Sequence, residues 1–153
     1  MFNIETSATI RSITVSAKTI DGVTTRRCRI KLDREFDDAI AACIGPEAKR
    51  ALDGVKSGAI ERLTFPIDAV LAKLDLVAQD GGETVAIERV VGVRAVAKSA
   101  RQNDVSPSVR LEFEFPFFRS AWIFMGENVG AVANIEVKPA AQGTLKFEPR
   151  VVG

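Results

Sequence analysis

Residues 13–32 read ITVSAKTIDGVTTRRCRIKL, and the reading of this stretch decides the fold. Asp21-Gly22 lies between two alternating runs, and a type I′ turn needs positive φ at both central positions, which this dipeptide readily adopts. The turn sets the register, with Ile20 opposite Val23 and each step outward pairing the next residues. Ile13 then faces Ile30, Val15 faces Cys28, Ala17 faces Arg26 and Arg11 faces Leu32. That side is largely apolar and is expected to point inward. On the other side Ser12 faces Lys31, Thr14 faces Arg29, Ser16 faces Arg27 and Lys18 faces Thr25. It is hydroxylated, cationic and expected to be wet.

After the hairpin the spacing becomes helical. In FDDAIAACIGPEAKRALDGV, residues 36–55, Ile40, Ile44, Ala48, Ala51, Leu52 and Val55 recur at threes and fours. Asp37 or Asp38 can cap the start, Gly54 can end the segment, and Gly45-Pro46 divides it into two short helices. AIERLTF, 59–65, reads as a strand. Residues 66–79 are ambiguous: Ile67, Val70, Leu71, Leu74 and Ala78 fit one helical face, while Val70, Ala72, Leu74, Leu76 and Ala78 alternate. The helical reading is slightly favoured, with Gly81 as its stop.

TVAIERVVGVRAVAK, 84–98, is expected to form one long strand, with Gly92 marking a bulge or a close backbone approach. SARQNDVSPS, 99–108, is a polar loop, and Arg101, Gln102, Asn103 and Asp104 make it a candidate interaction loop. VRLEFEFPFF, 109–118, alternates, with Val109, Leu111, Phe113, Phe115 and Phe117 on one face and Arg110, Glu112 and Glu114 on the other. AWIFMGEN, 121–128, reads as buried, and VGAVANIEVK and TLKFE supply two more strands, the latter with Leu145 and Phe147 inward. About six to eight strands and one to three short helices, joined mostly by short connections, imply an α+β fold. Its largely antiparallel sheet would be curled, a sandwich or a partly closed barrel, with helices on one side. Residues 1–153 are read as one domain, a length that buries roughly 70% of the unfolded chain's surface.

The chain carries 21 Lys and Arg against 20 acids, so it is not basic as a whole. The charge is uneven: residues 1–34 carry +4, 35–88 carry −6 and 89–153 carry +3. No apolar run approaches the roughly 18 residues of a membrane span, and MFNIETSATIRS lacks the pattern of a secretory signal. The expectation is therefore a cytoplasmic protein with no membrane partner. Cys28 and Cys43 form no disulfide framework or metal pair and read as small hydrophobes.

Histidine and tyrosine are absent, which removes imidazole and phenol acid–base chemistry and histidine metal ligation. No phosphate loop, dinucleotide fingerprint or EF-hand appears, and no cofactor or metal is expected. The carboxylate pair that remains, Glu112 and Glu114, projects about 7 Å apart from one strand face. It could serve glycoside chemistry, or simply salt-bridge arginines of a neighbouring strand. Lys18, Arg27, Arg29 and Lys31, bordered by Arg11 and Arg26, form a candidate nucleic-acid face with hydroxyl neighbours. Phe118 and Trp122 are the aromatics with no assigned face, read mainly as core and otherwise as exposed stacking platforms.

Three functions follow from these residues. The favoured one is a non-enzymatic protein-interaction or assembly module, self-associating or binding a protein partner; an accessory protein of a mobile element is one such setting. The alternative is a nucleic-acid-binding accessory protein that contacts single strands through the basic face of the 11–32 hairpin. A carboxylate enzyme using Glu112 and Glu114 is the weakest.

Overall fold

In the computed structural model, residues 4–67, 72–79, 82–100 and 106–138 are described. Their elements run β1 (Ile4–Ile20), β2 (Val23–Glu35), α1 (Asp38–Ile44), α2 (Pro46–Ser57), β3 (Arg62–Ile67), β4 (Ala72–Ala78), β5 (Thr84–Val90), β6 (Gly92–Lys98), β7 (Ser108–Pro116), α3 (Arg119–Glu127) and β8 (Val132–Lys138). The fold is α+β. Eight antiparallel strands form one sheet in the order β3-β6-β7-β2-β1-β8-β4-β5, not closed into a barrel, accompanied by three short helices.

The 13–32 hairpin forms with the expected register from Ser12↔Lys31 to Ile20↔Val23. Its turn places Asp21 at φ 53° and Gly22 at φ 78°, the left-handed pair a type I′ turn demands. One pairing differs. A register shift between Ile10 and Ser12 puts Ile10, not Arg11, opposite Leu32. The extra residue frees Arg11 from an apolar position, and its Nε bonds the Asp33 carboxylate at 3.0 Å.

The sheet curls because one chain segment serves two parts of it. β5 pairs with β4, β6 pairs with β7 and β3, and Val91 joins them while donating its N–H to Glu114 O at 2.8 Å. The segment 84–98 is therefore two strands rather than one. Inside the curl, Ile10, Ile30, Leu32, Leu74, Leu76, Leu111, Phe113 and Phe115 are fully buried in one continuous cluster. The helices supply Ile40, Leu52, Val55, Phe124 and Met125 to the same cluster.

Asp37 caps α1 by accepting from the Ile40 N–H, and Pro46 starts α2 after Gly45, whose φ of 140° suits glycine. α2 runs through Gly54 and ends at Gly58, the residue in the left-handed conformation. Residues 72–78 are a strand, which corrects the helical preference for 66–79. Ala72, Leu74, Leu76 and Ala78 are buried on one face, and β5 and β8 pair with the two edges. The period-2 alternation prevails over the helical one because it puts every apolar residue of the strand but Val77 into the core while both edges are paired.

AWIFMGEN is also corrected: it belongs to α3, which buries Ala121, Phe124 and Met125 but leaves Trp122 and Ile123 exposed. The expected 144–148 strand lies outside the described residues, as do Arg101–Asp104 of the interaction loop.

Candidate functional site

Two surfaces arise from the hairpin: a projecting ribbon and an ionic face at its base. β1 pairs with β8 only through Thr9, and β2 pairs with β7 only from Arg27 inward. One backbone bond continues each contact, from Phe117 N–H to Arg26 O at 3.0 Å and from Ile10 N–H to Ala131 O at 2.9 Å. Farther out the two strands pair only with each other among the described residues. Residues 14–27 are exposed without exception. The apolar side of the hairpin is thus inward only near its base, where Cys28, Ile30 and Leu32 are buried. Farther out Val15 and Ala17 meet solvent. Past Ala17 the tip carries Ile20 at 56% and Val23 at 62% exposure, large apolar side chains that an isolated ribbon cannot cover.

The β1 edge from residue 12 to 20 faces no further strand among the described residues. Of the devices that normally blunt an edge it has only Lys18 and the bulge at Arg11 where it begins, and it holds no proline.

At the base, the cations meet the acids of the neighbouring strand β7. Glu114 of β7 receives Arg27 Nη1 at 3.3 Å and Arg29 Nη2 at 3.2 Å. Glu112 receives Arg94 Nε of β6 at 2.8 Å, with Glu112 only 6% exposed. Asp33 is held by Arg110 in a two-pronged contact at 2.7 and 3.0 Å, and by Arg11. The acids facing Arg27 and Arg29 are therefore those of β7 and not of the acidic 35–88 segment. Glu112 and Glu114 are the salt-bridging residues of a strand face.

Partial burial works to raise the Glu114 carboxyl, but hydrogen bonds and charges from Arg29 and Arg27 outweigh it and hold it below the ordinary carboxylate value. Asp33 behaves alike: burial raises it, and Arg110 with Arg11 pull it down. Burial pushes the Cys28 thiol up, consistent with a small buried hydrophobe, while Cys43 is half-buried.

Of the six hairpin cations, Lys18, Arg26 and Lys31 have no ion-pair partner among the described residues. Arg26 lies over the Phe117 ring at 4.9 Å. Phe118 is half-buried with its ring 6.1 Å from Phe115, whereas Trp122 is 41% exposed on α3. Arg94 was not among the sequence candidates, because it enters this face only through β6–β7 pairing, which periodicity does not reveal.

Among the described residues no helix is long and apolar enough to cross a membrane, and no group of three or more His, Cys, Asp or Glu could hold a metal. Set against protein-family models, curated proteins and solved structures, the chain gives no significant match to any.

Proposed function

We propose that this protein is an assembly module without chemistry of its own, and that it self-associates by pairing the β1 edge of one copy with that of another. The observation that carries the reading is the single-sided strand at 12–20, with one lysine and no proline along it and bordered by exposed Val15, Ile20 and Val23. Backbone groups along such an edge offer a template for strand addition, with side chains selecting the partner. A second copy fits by symmetry and by charge. Antiparallel β1–β1 pairing centred near Val15 and Ser16 brings hydroxyl and apolar residues together and leaves the two Lys18 side chains apart. The contact is isologous and closes at a dimer.

Light scattering over a dilution series tests this. The wild type is expected to move reversibly between monomer and dimer, Ser16→Lys and Ser16→Glu each to stay monomeric, and their mixture to regain the dimer. Like charges near the twofold axis repel, and opposite ones attract. A strict monomer at every concentration, or lysine and glutamate variants that dimerise as well as wild type, rejects the proposal.

The second reading, single-stranded nucleic acid on the hairpin, rests on Lys18, Arg26 and Lys31, the cations left over after Glu114 takes Arg27 and Arg29. Three phosphate contacts would give a slope of about −2 in log affinity against log salt.

A further inference from the structure

The outer face of β2, β7 and β6 is a checkerboard with one empty square. Across the three strands, Arg29, Glu114 and Gly92 form one row, and Lys31, Glu112 and Arg94 form the next. Five of these positions carry ionic side chains. Gly92 carries none, and above it opens a trough of about 460 Å³, walled by Arg29, Arg94, Glu112, Glu114 and the exposed Thr64 of β3.

On the walls of the trough Arg29 and Arg94 balance Glu112 and Glu114. The excess of positive charge lies beside it on β2, where Arg27 and Lys31 flank Arg29 on the same face. An anion is therefore favoured by the surrounding face and by spare donors rather than by the net charge of the lining. Each acid is already engaged by arginine, and each engagement leaves donors spare. Arg94 uses Nε for Glu112, and its two terminal nitrogens have no hydrogen-bond partner among the described residues. Arg29 uses one terminal nitrogen for Glu114, and the rest of its fork is likewise unengaged. The carboxylates therefore act as props that hold the Arg29 and Arg94 guanidinium groups in the lining of the trough.

Two separated forks and a hydroxyl suit a tetrahedral group with three or more acceptor oxygens. A planar carboxylate would be satisfied by one fork alone. We propose that this trough binds the phosphate group of a small phosphorylated molecule.

Two variants probe it without dismantling the face. Arg29→Met leaves Glu114 paired to Arg27, and so avoids orphaning a carboxylate. Gly92→Leu fills the empty square: a Cβ there would stand 3.6 Å from the Glu114 Cβ, an ordinary contact, and Gly92 has no left-handed φ to strain. The experiment titrates nitrogen-15-labelled protein with inorganic phosphate, then with phenyl phosphate, following backbone amide shifts, with circular dichroism to verify that each variant folds.

Saturable shifts centred on Thr64, Gly92 and Arg94 are expected. Arg29→Met should weaken binding about tenfold, as loss of a charge-assisted hydrogen bond does, and Gly92→Leu should abolish it. Shifts that rise linearly over the basic surface, or saturable binding that survives Gly92→Leu, overturn the proposal. So does an oligonucleotide that binds this face while both small phosphates fail.

Discussion

At the scale of single residues, the charged side chains of the sheet face are best understood by what each would lose alone. Glu114 and Asp33 titrate below their ordinary values of 4.5 and 3.8 because arginines outweigh the effect of burial. A carboxyl with a depressed folded value adds stability that is fully present above its unfolded value and is lost as pH falls through the folded one. Stability of the wild type is therefore expected to be level in this contribution above about pH 5 and to fall below pH 4.5. In the double variant Arg27→Met, Arg29→Met, Glu114 has lost both partners, and the fall should be shallower in urea unfolding measured from pH 6 to pH 3. An unchanged slope would show that the two arginines do not act on Glu114. These pairs were half legible. Alternation put Glu112 and Glu114 on one face and Arg27, Arg29 and Lys31 on another. That β7 lies beside β2 depends on pairing between segments some 80 residues apart, which no local pattern encodes.

At the scale of elements, the hairpin was legible because a two-residue turn dictates everything that follows from it. Two features escaped: the bulge at Arg11, which answers to Asp33, and the exposure of Val15 and Ala17 on the side expected to face inward, because the ribbon runs on past the body it springs from. β4 and α3 were misjudged for separate reasons. In 66–79 apolar residues are dense enough to satisfy both periods, and the decision is made by β5 and β8 on either side. α3 begins at Arg119 after Phe118, which offers no side-chain cap, and has no acid in its first turn. It therefore lacks the usual entry signals. The ribbon's independence from the core gives a prediction at this scale. Gly22→Val forces a β-branched side chain into a left-handed position and should cost the ribbon about 1–3 kcal/mol. Thermal unfolding of the body should shift little, while dimerisation weakens. By contrast, Phe113→Ala empties a fully buried site and should cost about 3–5 kcal/mol of global stability. If both variants lower the melting temperature equally, the ribbon is part of the cooperative core.

At the scale of the whole molecule, the curled sheet divides labour between two ends of β1. Residues 4–9 pair with β8, and Ile4, Ala8 and Ile10 help bury the core, whereas residues 12–20 pair with β2 alone among the described residues and extend past the body with one edge unpaired. The proposed self-association rests on this edge and on the large apolar side chains at its tip. The most direct measurement is amide hydrogen exchange across residues 12–20 at low and at high protein concentration. Self-pairing predicts that exchange slows along the outer edge of β1 as concentration rises, with the amides of β4 and β7 unchanged. Exchange along β1 that is equally fast at every concentration would contradict it.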